Sequence, residues 1–187
     1  QYYFQHPPAH LYSKPPLNFQ SRNPKNRITF SNSVFSRMNH WLLKTEPDEW
    51  SWEDQTSNEI PTPWDGVRNK QAQKNLKSMS LGDLCFFYHS GKERRIVGVV
   101  KVTQTWYSEG DNEVVVEVEA VGEMRNPVGL KEMKEDRWLE ENCPGFALFR
   151  QPRLSVVPVS DEVWARVCDM GGGFHGDRSE IENVDEE

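Results

Sequence analysis

"HWLLKTEPDEWSWEDQ", residues 40 to 55, contains both kinds of element from which the fold is built. His40–Thr45 is short, apolar and closed by a polar turn, which reads as a strand. Pro47 enforces the turn that ends it. In the residues that follow, Ser51 stands where an N-cap belongs, with Glu53 and Asp54 just after it, so a short helical turn is expected. Lys44 and Glu46 are two residues apart and leave the strand on one side. Such a pair can floor a polar pocket or act as general acid and base; its commoner use is a half-exposed ion pair.

Downstream of this stretch, "TPWDGVRNKQAQKNLKSM" (62–79) places a Gly-containing turn before a helix from about 69 to 79. Ala72, Leu76 and Met79 share one face, while Lys70, Lys74 and Lys77 occupy the other. Trp64 can offer a ring to a flat ligand, Arg68 can meet a phosphate or a base edge, and Asn69 can cap the helix or read hydrogen bonds. The alternative is a core Trp64 and a solvated lysine face. "GDLCFFYHS" (82–90) is a turn then a strand, with Tyr88 and Ser90 as pocket candidates and His89 ambiguous. "RIVGVVKVTQTW" (95–106) is a longer strand, in which Gly98 signals a bulge or a close approach. "EVVVEVEAV" (113–121) alternates like a strand with one wet face.

"LKEMKEDRWL" (130–139) reads as one helix and "RLSVVPV" (153–159) as a strand that Pro158 ends. In "LFRQPRLSVVPV", Arg150 and Arg153 flank a Gln151–Pro152 turn and can meet phosphate or surface carboxylates. Ser160 caps a helix whose stripe is Val163, Val167 and Met170 and which three glycines close. At least five strands with scattered short helices and no βαβ rhythm give an α+β fold on a small curved sheet or barrel.

The chain has 187 residues and a net charge of −7, unevenly spread. Residues 1–37 hold Lys14, Arg22, Lys25, Arg27 and Arg37 with no acid, a charge of +5, which leaves −12 for the remainder. The acidic stretch 169–187 accounts for −6 of that. An acidic body disfavours sequence-blind coating of nucleic acid but permits a local basic pocket. The basic, Pro- and Ser-rich start reads as disordered or as an organellar transit segment. This divides the chain into an extension (1–37), a folded domain (38–173) and an acidic flexible tail (174–187). Three widely spaced cysteines with no C-x-x-C pair indicate neither a disulfide framework nor a zinc site. No histidine spacing suits a metal, no phosphate-cradling loop precedes a helix, and no apolar run is long enough to span a bilayer. No cofactor, no metal and no membrane partner are expected.

Taken in order, "WLLKTEPDEWSW", "WDGVRNKQAQKNL", "GDLCFFYHS", "IVGVVKV" and "RQPRLSVVPVSDEVW" resemble the EVE domain, and within it the thymocyte nuclear protein family, over about residues 39–170. The resemblance implies a PUA-like small β-barrel flanked by short helices, related to the YTH and ASCH domains. It implies a non-catalytic reader that admits one extruded modified base, with modified cytosine in DNA favoured over RNA. Carried over to this sequence, the pocket residues are Lys44, Glu46, Pro47, Trp64, Gly66, Val67, Arg68, Asn69, Tyr88, His89 and Ser90. The phosphate rim is Lys70, Lys74, Arg150, Gln151 and Arg153.

The family name implies a nuclear protein; an organelle follows instead if residues 1–37 are a transit peptide. Two other readings compete. ASCH relatives include amidohydrolases acting on acylated cytidine through a Lys, a Thr and a Glu, residue types present as Lys44, Thr45 and Glu46. Strand alternation, however, turns Thr45 away from the other two. The second is a protein-interaction module that uses the acidic tail.

Overall fold

A computed structural model describes residues 38–58, 60–109 and 113–176; the expectations for residues 1–37 and 177–187 fall outside them. The elements run β1 (His40–Thr45), α1 (Trp52–Ser57), β2 (Thr62–Trp64), α2 (Lys70–Lys77), β3 (Leu84–His89), β4 (Arg95–Glu109) and β5 (Glu113–Gly129). They continue with α3 (Leu130–Glu135), α4 (Arg137–Asn142), α5 (Ala147–Arg150), β6 (Val156–Val159) and α6 (Asp161–Gly171).

Six strands form one mixed sheet in the order β2-β5-β4-β3-β1-β6. The α+β class holds, but the sheet is not closed into the expected barrel. Its two edges are too short to pair with each other, and each has a proline: Pro63 in β2 and Pro158 in β6. A proline cannot donate to a ladder, so it settles on sheet edges. For the same reason Pro158 does not end β6 but sits inside it, exposed, in register with Trp41. Helix α2 spans the opening, packing on β6 at one side and on β5 and β4 at the other.

The core is built on both faces of the sheet. On one, Phe87 in β3 meets Trp52 and Trp64 edge-on, at 5.3 and 5.7 Å between ring centroids. Phe87 is paired across the ladder with Gly98 in β4, and the Trp52 ring lies where a side chain at Gly98 would go. Gly98 is therefore both a close approach and part of a bulge, since the β3–β4 and β4–β5 registers shift beside it. On the other face, Trp164 of α6 stacks on Phe86 and His40, with centroids 4.0 and 4.3 Å away. Parallel pairing of β1 with β3 is pinned by Asp83, which is 1% exposed. Its carboxylate accepts from Trp41 Nε1 (2.8 Å) and from the amides of Asn39 and Ser80.

Three local expectations change. Strand β5 runs on to Gly129, through Gly122 and Pro127, because β4 holds its far end at Ile96–Val128 and Arg95–Gly129. The helix expected over 130–139 is two helices. Asp136 leaves helical backbone (φ −71°, ψ 114°) and its side chain caps α4 by accepting from Leu139 N–H at 2.9 Å. Phe174, expected in the tail, is 8% exposed and bridges Met124, while His175 N–H donates to Glu123 O at 2.9 Å. Phe174 and His175 therefore pack against β5.

Candidate functional site

A cleft of about 650 Å³ opens at the C-terminal end of β1, between the turn after β1, the α1–β2 connection, and the turn leading to α2. From the expected pocket it gathers Lys44, Trp64, Gly66, Val67 and Arg68. Each is placed by a local device. Lys44 is fixed at its backbone, which donates to Ser155 O at 2.9 Å. Trp64 is held by the β2–β5 ladder opposite Val116. Gly66 turns the chain with φ +67°, a conformation glycine adopts without penalty, and its N–H donates to Glu113 Oε1 at 2.8 Å. Arg68 follows at the rim, exposed, immediately before the helix that Asn69 caps.

Partial burial pulls Lys44 down to about 8, since its ammonium gives up some of its water without gaining a carboxylate. Its Nζ donates to Pro152 O at 3.3 Å. Neither Lys44 nor Arg68 makes an ion pair among the described residues. The cleft thus presents two cations without an ion-pair partner among the described residues, together with two carboxylates, Glu49 and Asp65.

Several expected pocket residues lie elsewhere, each with a different job. Strand β1 ends at Thr45, so alternation no longer governs Glu46; its exposed carboxylate rests against Gly91 instead of joining Lys44. Thr45, expected to face away, does line the cleft. Pro47 shapes the turn in which Glu46 O accepts from the amides of Glu49 and Trp50, at 2.9 and 3.0 Å. Asn69 spends its side chain on the helix, with Oδ1 accepting from Gln71 and Ala72 N–H at 2.9 and 3.0 Å.

Tyr88 is 3% exposed, and desolvation pushes its hydroxyl up to about 12 against the opposing pull of Arg94. His89 is structural: Trp52 N–H donates to Nε2 (3.1 Å) and Nδ1 donates to Glu93 Oε2 (2.8 Å). Ser90 N–H donates to Thr45 O at 2.7 Å, continuing the β1–β3 pairing. Of the expected rim, Lys70 and Lys74 are on the exposed face of α2, outside the cleft lining. Arg150 Nε donates to Pro144 O at 2.8 Å, Gln151 caps α5, and Arg153 is exposed; the late motif reaches the cleft instead through Ser155.

The most informative residue absent from the expected pocket is Trp50. Trp64 is only 7% exposed, so little of its ring meets the cleft, whereas Trp50 is half-buried and also lines it. Trp50 Nε1 donates to Gln55 Oε1 at 3.0 Å, and Gln55 Nε2 donates to Thr62 Oγ1 at 2.9 Å. Gln55 is 1% exposed, so this buried amide fixes two lining residues at once. The sequence signal was present in E-W-S-W: a Trp just before a capping Ser, where the chain enters a helix. Nothing local says that the turn folds this ring towards β2.

A family model described as the EVE domain matches residues 39–170. Human thymocyte nuclear protein 1 is 31% identical over 176 residues, covering 76% of this chain and 78% of its own. Among solved structures, a protein from Agrobacterium tumefaciens is 40% identical with a TM-score of 0.67, covering 74% of this chain and 95% of the other. A crystal structure of human THYN1 protein in complex with 5-methylcytosine-containing DNA is 30% identical with a TM-score of 0.62, covering 71% and 97%.

Proposed function

We propose, from the premise that the chain belongs to the EVE domain family, that it is a non-catalytic reader which admits a modified cytosine from DNA into the cleft beside β1. The observation that supports this best is the pairing of an indole wall with uncommitted cations in one cavity of about 650 Å³. That size falls within the range of small-ligand sites, about 300–1,000 Å³. The human relative crystallised with 5-methylcytosine-containing DNA favours DNA over RNA. Relatives are named nuclear proteins, and we place this chain in the nucleus on that ground.

Taking a base out of the stack costs a few kcal/mol. Stacking on Trp50 returns about 1–3 kcal/mol, and the carboxylates of Glu49 and Asp65 suit the N4 amino group of cytosine, a donor. Lys44 and Arg68 face the phosphates, which position the strand without reading it. In this arrangement Glu46 lies outside the cleft lining, so the particular set Lys44, Thr45 and Glu46 is not gathered in it.

The test is a fluorescence titration with duplexes matched except for one central cytosine, plain or 5-methylated. The modified duplex should bind more tightly, and Trp50→Ala should remove about 1–3 kcal/mol of affinity together with the preference. Equal binding of both duplexes by the native chain would sink the reader.

A second expectation follows from Lys44. Below about pH 8 its ammonium is charged and attracts phosphate; above that value the charge is lost. Affinity should therefore fall as pH rises through about 8, and Lys44→Met should flatten that step. The sign for folding is opposite. Between the folded value of about 8 and the ordinary lysine value of 10.5, the unfolded chain holds a proton that the folded chain lacks, so Lys44 makes stability rise with pH in that window.

A further inference from the structure

A second cleft, of about 510 Å³, lies at the same end of the sheet and has no role in the reading above. Lys92 and Arg94 reach it from the β3–β4 turn, and Lys131 and Lys134 from α3, where a spacing of three puts both on one face. Only two acids share it, and both are engaged. Glu93 Oε2 accepts from His89 Nδ1 at 2.8 Å and from Arg95 Nε at 2.9 Å, while Glu135 faces Lys131 at 3.8 Å. Lys92, Arg94 and Lys134 make no ion pair among the described residues. In an acidic protein, this is a concave surface with a local positive excess.

The backbone holds one of these cations in an unusual way. Arg94 has φ +47°, the only positive φ at a non-glycine among the described residues, and Leu130 N–H donates to its carbonyl at 2.7 Å. A left-handed arginine persists only where its surroundings over-determine it, and such positions gather at ligand sites.

The two clefts are in register. Thr45, His89, Arg95 and Gly129 are paired across β1, β3, β4 and β5, so they form one row over three strand spacings. At about 4.8 Å per spacing, the row from the first cleft to the second is about 14 Å long. A row of that length lets one bound duplex touch both clefts at once.

We infer that the Lys92–Arg94–Lys131–Lys134 cleft is a second nucleic-acid contact, holding phosphodiester groups of the same DNA whose base is read at the first cleft. The inference rests on the proposed reader function. It divides labour on one surface: the first cleft selects the base, and the second supplies affinity that ignores sequence and modification.

The experiment measures salt dependence and modification preference together, on the full chain, with the plain and the 5-methylcytosine duplexes. Arg94→Gly removes the guanidinium at a position glycine tolerates, and Lys134→Gln is an exposed change that leaves the fold intact. The double variant should lower the slope of log affinity against log salt by about 2, roughly 0.9 for each lost phosphate contact. It should weaken both duplexes by the same factor and leave their ratio alone.

A slope and affinity equal to the native chain's would overturn the second cleft, while an intact preference that Trp50→Ala abolishes would keep the reader. Equal native affinity for the two duplexes, with a slope that falls in the double variant, would remove the reader and keep the contact. A native chain that binds neither duplex would overturn both.

Discussion

Phe87→Ala is expected to destabilise the fold by about 3–5 kcal/mol, a large part of the 5–15 kcal/mol that holds a typical domain together. Phe87 is fully buried at the centre of β3, and three rings meet it: Trp52 at 5.3 Å, Trp64 at 5.7 Å and His89 at 5.7 Å. Truncation leaves a void that these partners cannot all fill, because Trp64 is tied to the β2–β5 ladder and His89 to Trp52 N–H and Glu93. Urea unfolding gives the loss directly; a cost under about 1 kcal/mol would mean that the site collapses freely and that the aromatic cluster is not the keystone of this face. Phe87→Leu keeps most of the volume and supplies a variant folded well enough for ligand titration. Its affinity should fall as well, since Phe87 supports Trp64, one of the residues that line the first cleft.

Gly98→Val should be nearly as severe, for the opposite reason. Gly98 faces Phe87 across the ladder, and the atoms of the Trp52 ring occupy the place a β-carbon would take. Overpacking typically costs about 1–3 kcal/mol and more when the neighbour cannot yield. Trp52 is 5% exposed and begins α1, so moving it moves Gln55, whose amide holds Trp50 and Thr62 at the cleft. The variant is thus expected to lose both melting temperature and preference for the modified duplex. Trp52→Ala removes the collision, so the double variant should lose less than the sum of the singles. Strict additivity would show that the contact is not what forbids a side chain at 98.

What was legible in the sequence was what local physics decides. The Ser51 and Ser160 caps, the buried Ala72 and Leu76 of α2 and the apolar runs of β1, β3 and β4 each declare themselves within a few residues and stand where expected, whereas Met79 is buried just past the Ser78 cap that ends the helix. Strand β2 did not. Three residues with a proline among them look like a turn until β5 supplies the ladder. The far half of β5 was hidden in the same way, because Gly122 and Pro127 speak against a strand and only pairing with β4 overrides them.

The site divides along the same line. Lys44, Trp64, Gly66, Val67 and Arg68 lie in short motifs whose residue types announce a pocket. Trp50 lines it because Gln55 of α1 holds its indole, an arrangement that no periodicity encodes. His89 shows the converse, a side chain with catalytic looks whose two nitrogens are both committed to structure.

The prolines of the outer strands have a consequence for life at high concentration. An unpaired strand edge is a template on which another chain can add, the first step towards aggregation. Here each edge strand is three or four residues long and is interrupted by a residue that donates no hydrogen bond. On β2 or β6 an incoming strand would find too few partners to hold its register. The features that keep this sheet from closing on itself also keep it from recruiting a neighbour.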